Sequence, residues 1–408
     1  MKKRFAGAVT AVCLALSLVG CGGDTPGAQN TSLPPQTPQS AGESSAPDAQ
    51  SALPESPVPE AFQDGGIFSA YYDEAYEKLT AMTTEEKVGQ LFWARCPETQ
   101  ALQEIADHHL GGLVLFKRDF ADLTAEEVRE RLASYQGAAE IPLLLAVDEE
   151  GGEVARISAW PALRPEGRFE AQGDLYADGG LEGLLADTEE KDALLSSLGL
   201  NVNLAPVADI ARDPEDFMYG RSLRQDAAVT SAAVRAMTTR MLSDGIQPVL
   251  KHFPGYGDNA DTHTSIAVDK RPYEQFQSED LLPFQAGIAA GAPCVLVSHN
   301  IVNCMDDTLP ASLSPAVHNI LRTELGHTGV ITTDELDMGA IKEFTDGENP
   351  CVQALLAGND MLMVTDYQGG IEAVLAAVEA GTVSKETLDH AVFRILAWKY
   401  SMGLLSEG

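Results

Sequence analysis

The segment KHFPGYGDNADTHTS (251–265) brings two cations-in-waiting, Lys251 and His252, close to an aspartate–histidine pair, Asp261 and His263. In extended backbone, residues i and i+2 point to the same side. The Asp261 carboxylate is therefore expected to meet the His263 imidazole, fix its tautomer and raise its pKa, which makes a histidine a proton donor near neutral pH. Another carboxylate, Asp334, ends the apolar run GVITTD (329–334). A carboxylate on a rigid strand end and a proton donor on a loop are the two groups that cleavage of a glycosidic bond requires, one on each side of the anomeric carbon. As a helix cap for the following DMGAIKEF, Asp334 is a poorer candidate than Asp337 or Thr333. The competing chemistry is a metal site, since His252, His263, His299 and the acids are all ligand types. No HExxH, HxH or cysteine/histidine ligand spacing is present, and neither a metal nor a cofactor is expected.

These residues need elements that hold them together. Eight apolar runs recur at semi-regular intervals: 91–94, 112–116, 142–147, 202–207, 248–253, 294–299, 329–334 and 360–366. They are too short for helices and too continuous for half-exposed strands. Segments with helical spacing lie between them, at 124–138, 227–242, 281–290, 314–325 and 370–380, with a final helix over 385–400. A capping box, Thr83 with Glu86, opens the ordered part. Eightfold strand–helix alternation predicts an α/β fold, a (β/α)₈ barrel forming a single catalytic domain, with an open doubly wound sheet as the alternative. In such a barrel the site lies at the C-terminal strand ends. Polar residues gather there: Asp148 and Glu150, Asp209, Lys251 and His252, His299, and Asp334.

Together these motifs resemble glycoside hydrolase family 3, in its β-N-acetylglucosaminidase branch. The likeness runs from about Thr84 to Leu404 and is carried by EEKVGQL (85–91), VDEEGGEVARI (147–157), NLAPVADI (203–210), GRSL (220–223), KHFPGYG with DTH (251–263), TTDELDMGAI (332–341) and ALLAGNDMLM (354–363). The resemblance implies Asp334 as nucleophile, His263 as acid/base and Asp261 as its partner. It also implies that Asp148, Arg156, Arg221, Lys251 and His252 hold the sugar. The family's β-glucosidase branch lacks the loop pair and takes its acid from a second domain. The present sequence ends after the barrel, which favours the acetylglucosaminidase branch, with its acid on the loop. Three positions depart from the family pattern: Tyr256 where His is common, Glu153 where Arg is common, and Glu335 where Asp often follows the nucleophile. They bear on the leaving-group side of the pocket.

The expected function is a retaining exo-β-N-acetylglucosaminidase acting on cell-wall fragments or chitooligosaccharides. Phosphorolysis stays open, because a neutral histidine base does not repel phosphate. Another β-glycosidase activity of the family stays open too. From a different class, a non-catalytic sugar-binding lipoprotein is the rival.

Residues 1–20 have a basic start (Lys2, Lys3, Arg4) and an apolar stretch too short to span a bilayer, and they end in Gly20 before Cys21. This reads as a lipoprotein signal peptide with Cys21 as the lipidated residue, placing the protein on the outer face of a bacterial cell membrane. Residues 21–66, rich in Pro, Ser and Ala and without Lys or Arg, read as a disordered tether, leaving 67–408 for the barrel. Loss of the three basic signal residues takes the net charge from −34 to −37, which argues against nucleic acid as a partner. Outside the signal segment and Cys21, the cysteines Cys96, Cys294, Cys304 and Cys351 have no framework spacing and are expected as thiols. Oligomeric state is not legible.

Overall fold

The computed structural model describes residues 58–257, 267–345 and 349–406. All eight apolar runs contain a strand: β1 (Phe92–Arg95), β2 (Gly112–Leu115), β3 (Leu144–Val147), β4 (Val202–Asn203), β5 (Gln247–Phe253), β6 (Cys294–Val297), β7 (Val330–Thr333) and β8 (Leu362–Val364). Each pairs in parallel with its neighbour in sequence, and β8 pairs with β1. The ring closes between β7 and β8 through a bridge of Thr332 with Met361 and the bond from Met361 N–H to the Ile331 carbonyl (3.0 Å). The result is a barrel rather than an open sheet. Strands buried on both faces must be apolar throughout, which is why these segments read as continuous runs instead of alternating ones. A separate parallel pair, Val268–Asp269 with Ile301–Val302, follows β5 and β6.

Helices begin where the sequence supplies caps. Thr83 and Glu86 form the expected capping box on Thr84–Gln90, and Thr124 with Glu127 forms another on Ala125–Ala138. Asp226 and Ser384 cap Ala227–Asp244 and Lys385–Ser401. The segment at 314–325 divides into Pro315–Asn319 and a π-turn over Ile320–Glu324. The helical segment Gln172–Leu198, two stretches that meet at Gly180 (φ +59°), escaped the sequence reading because glycines and acids interrupt its apolar face. Packing against Ala227–Asp244 outweighs that weak local preference.

The packed part also begins before residue 67. Val58 is buried, and Phe62 stacks on His390 at 4.2 Å and against the Phe393 edge at 5.0 Å. These two apolar residues anchor a stretch whose composition otherwise reads as tether. Among the described residues, no helix is long and apolar enough to cross a membrane. Cys96, Cys294 and Cys351 are buried free thiols, and Cys304 is an exposed one.

At the N-terminal end of the barrel, Lys399 is fully buried and donates to Gln90 Oε1 at 2.7 Å. Burial pushes its ammonium pKa down to about 7, from an ordinary 10.5. A folded-state pKa below the unfolded one means that the unfolded chain binds the extra proton between those values. Stability from this site therefore rises with pH across that window, by at most about 1.4 kcal/mol per unit. Lys399→Met should raise the melting temperature by several degrees near pH 6 and hardly at all near pH 10, less about 1 kcal/mol for the deserted Gln90 carbonyl. An equal shift at both pH values, read by thermal denaturation, would count against this account.

Candidate active site

Across the C-terminal mouth, the ends of β3, β4 and β5 build one connected network of charges. Lys251, at the end of β5, is 1% exposed, and its Nζ lies 2.6 Å from both Asp148 Oδ1 and Glu150 Oε1. Glu150 also receives a two-pronged contact from Arg221, Nε to Oε2 at 2.9 Å and Nη2 to Oε1 at 2.7 Å. Burial alone would raise the Glu150 pKa, but the Arg221 and Lys251 charges outweigh it and hold the carboxyl well below its usual range. Arg221 likewise resists burial because Glu150 faces it, and its pKa is driven upward. Arg156 completes the group, with Nη2 3.8 Å from Asp148 Oδ2.

His252 has both ring nitrogens engaged. Nδ1 donates to Asp209 Oδ2 at 2.8 Å, and Nε2 accepts from Arg221 Nη2 at 3.1 Å, which is the neutral Nδ1–H tautomer. Asp209 also accepts from the backbone N–H of His252 (3.0 Å) and of Tyr256 (2.8 Å). The Tyr256 ring stands edge-on to the imidazole at 5.3 Å. The Lys251–His252 peptide bond is cis.

The loop that delivers Arg156 is built by Glu149. Its buried carboxylate accepts from the backbone N–H groups of Arg156 (2.9 Å), Ile157 (2.7 Å) and Ser158 (3.3 Å) and from the Ser158 hydroxyl. Asn203 on β4 pins Glu149 through both its N–H (3.0 Å) and its carbonyl (3.1 Å). Gly151 turns the chain at φ +101°, and a Cβ there would lie 2.1 Å from the Glu170 carbonyl oxygen, so only glycine fits. From behind, Lys191 Nζ donates to the Glu150 carbonyl at 2.9 Å.

Asp334 follows β7, the strand opposite β3 in the eight-membered ring. Its N–H donates to the Val297 carbonyl on β6 at 2.9 Å, and its Oδ1 accepts from Glu335 N–H at 2.8 Å. His299, fully buried, accepts from the Ser312 hydroxyl at Nδ1 (2.8 Å) and donates from Nε2 to the Glu335 carbonyl (3.0 Å), which steadies the chain beside Asp334. With His252 and His299 both spent on hydrogen bonds, neither imidazole presents a lone pair to a metal. Glu335 turns toward β8, accepting from Thr365 N–H (2.8 Å) and Thr365 Oγ1 (3.2 Å). Burial, with the nearby Asp337 charge adding to it, raises its pKa to about 7. Asp337 accepts from Thr365 and Asp366 N–H (both 2.8 Å), and Thr333 Oγ1 accepts from Met363 N–H (3.0 Å).

The structure thus gathers Asp148, Arg156, Arg221, Lys251 and His252 at one side of the mouth, with Asp334 on another strand end of the same ring. Asp261 and His263 lie outside the described residues, as does Cys21. Glu150 and Asp209 were recognised in the sequence only as polar strand ends. Their position, where a core would tolerate an acid only beside cations or donors, was the available signal. Glu153, the second departure from the family pattern, is exposed.

Comparisons with known proteins bear on the family and the fold. Residues 83–398 match the Glycosyl hydrolase family 3 N terminal domain. A β-hexosaminidase of Xylella fastidiosa (strain M23) is 36% identical over 316 residues, covering 76% of this chain and 91% of that protein. A β-hexosaminidase of Stenotrophomonas maltophilia (strain K279a) is 34% identical over 306 residues, covering 73% and 88%. Among solved structures, a family 3 β-N-acetylglucosaminidase from Paenibacillus sp. str. FPU-7 superposes with a TM-score of 0.73 at 31% identity, covering 80% of this chain and 64% of that one.

Proposed function

The chain belongs to glycosyl hydrolase family 3 and is a glycoside hydrolase, and from that premise we propose that it is a retaining exo-β-N-acetylglucosaminidase. Its substrates are terminal β-linked N-acetylglucosamine residues on cell-wall fragments or chitooligosaccharides. The observation that carries the reading is the buried network of Asp148, Glu150, Lys251, Arg221 and His252, set in the same ring of strand ends as Asp334. A pocket of paired carboxylates and cations offers acceptors and donors for several sugar hydroxyls at once. The names of the relatives support the acetylated amino sugar.

The reaction is a double displacement. An Asp334 carboxylate oxygen attacks the anomeric carbon while His263 gives its proton to the glycosidic oxygen, and the aglycone leaves as an alcohol. Water then attacks the glycosyl ester, His263 takes the water's proton, and the sugar departs with its configuration retained. Asp261 orients the imidazole. Because the acid matters only when the leaving group needs a proton, His263→Ala should cost about 10²–10⁴-fold on a disaccharide and far less on an activated aryl glycoside. Equal losses on the two would remove His263 from this role. The same assay, run with and without phosphate on a chromogenic β-N-acetylglucosaminide, tests the function itself: free N-acetylglucosamine in both supports a hydrolase, sugar 1-phosphate identifies a phosphorylase, and binding without turnover identifies a non-catalytic receptor.

The location follows from the amino-terminal residues. Cys21 carries the lipid, and the chain from Gly22 onward spaces the barrel from the membrane. Cys21→Ala is expected to move the protein from the membrane fraction to the soluble fraction and to abolish incorporation of labelled fatty acid. Retained labelling would refute the anchor.

A further inference from the structure

At the end of the barrel opposite the mouth, the segments that lead into β1, β2 and β3 bring three ligand-type side chains together. Glu86 stands in the first turn of Thr84–Gln90, His109 caps the helix Ala101–His108, and Glu140 lies between Ala125–Ala138 and β3. One ligand atom from each falls within 4.8 Å of the other two. Among the described residues, no other three histidine, cysteine or acidic side chains converge this closely. The three lie far apart in the chain and form no short ligand motif, so only the fold assembles them.

A cavity of about 170 Å³ has all three in its wall. Glu86 accepts the Thr83 N–H at Oε2 (2.6 Å), and a carboxylate can accept about four such bonds, so it has lone pairs to spare. The His109 backbone is fixed from two sides: its N–H donates to the Ile105 carbonyl, and its own carbonyl accepts from Gln90 Nε2 at 2.7 Å. Gly89 packs so closely that a Cβ there would lie 2.7 Å from that same carbonyl oxygen. The half-buried His109 ring makes no hydrogen bond or ion pair with a described residue, and neither does the exposed Glu140 carboxylate. Lys78 borders the cavity but lies beyond ion-pair distance of both carboxylates. Two carboxylates drawn together beside an imidazole, with no cation between them, are a set that one divalent ion satisfies at once.

We propose that Glu86, His109 and Glu140 bind one zinc ion, with water as the fourth ligand. The imidazole selects the metal, since calcium and magnesium take oxygen ligands whereas zinc takes nitrogen and oxygen together. A tetrahedral zinc with bonds of about 2.0–2.2 Å spaces its ligand atoms about 3.3–3.6 Å apart. Rotation of the exposed Glu140 side chain closes the difference, while Glu86 and His109 stay on their fixed backbone. A net charge of −34 draws divalent cations toward the surface. The ion joins three successive segments at the end of the barrel that serves stability rather than chemistry. It takes no part in glycoside cleavage, and the assignment does not rest on the glycosidase reading.

The full-length protein, freed of metal with a chelator, is titrated calorimetrically with zinc chloride and, separately, with calcium chloride. Zinc should bind at one ion per chain with micromolar or tighter affinity, well ahead of calcium, and should raise the melting temperature by a few degrees at saturation. Two variants remove ligands without disturbing the fold. His109→Asn tolerates the left-handed backbone at this position (φ +51°), and Glu140→Gln changes only an exposed side chain. Loss of a group that merely orients a ligand already costs about 10–100-fold in metal affinity, so each variant should lose at least about 10-fold, together with the zinc-dependent rise in melting temperature. Their metal-free melting curves should overlay that of the wild type. Absence of zinc binding overturns the site. Binding unchanged in both variants overturns it too, and places the ion on other groups. Calcium binding as tight as zinc and indifferent to His109→Asn would show an oxygen-only set, and the imidazole-based assignment falls.

Discussion

Replacing Asp334 by Asn is expected to lower turnover of β-N-acetylglucosaminides by on the order of 10⁴-fold or more, with little change in thermal stability. The amide has nearly the shape of the carboxylate, and its oxygen can still accept from Glu335 N–H, so that N–H keeps its acceptor. Under the proposed double displacement, what disappears is the nucleophile and the negative charge that would face the developing oxocarbenium ion. Two readouts separate this from a merely structural role. A 2-fluoro sugar with a good leaving group should label wild-type protein on the peptide containing Asp334 and leave Asp334→Asn unlabelled. Circular dichroism and the melting curve of the variant should overlay those of the wild type. Substantial activity in Asp334→Asn, or labelling of another carboxylate, would move the nucleophile elsewhere.

The strands were legible because a parallel barrel buries both faces of every strand, which writes a continuous apolar run followed by a polar residue into the sequence. Lys251 and Asp148 were legible for the same reason: a charge directly after such a run is at the mouth or is an expensive mistake. Helix starts were readable where a side chain makes a local bond, as Thr83 with Glu86 does. What was hidden depends on contacts between distant residues. The helical segment Gln172–Leu198 owes its existence to packing rather than to its own glycine-rich sequence. Asp337 also holds two backbone N–H groups of the turn after β8, a contact that its spacing does not announce. Glu150 and Asp209 are one step removed from the expected sugar contacts and acquire meaning only when Lys251, Arg221 and His252 converge on them. Spacing along the chain carries no record of that convergence.

That convergence makes Glu150 the residue whose loss should cost the fold most. Its carboxylate is the shared counter-charge of the buried Lys251 and the largely buried Arg221, and it makes the ion pair to Arg221, with Asp148 and Asp209 acting on that guanidinium as weaker charges. Removing one partner of a buried ion pair leaves the other charge uncompensated, which typically costs about 3–5 kcal/mol, so Glu150→Ala is expected to lower the melting temperature by roughly 6–20 °C. Glu150→Gln should lose less, since the amide oxygen still accepts one N–H from Arg221. The folded-state pKa of Glu150 lies below its unfolded value near 4.5, so its contribution is fully present above that value. The contribution is lost only as pH falls further, through the depressed folded pKa. The stability gap between wild type and Glu150→Ala should accordingly be constant from pH 8 to about pH 5 and shrink in stronger acid. A gap absent at pH 7, measured by denaturant unfolding, would show that Arg221 and Lys251 find other partners and that the network does not depend on this carboxylate.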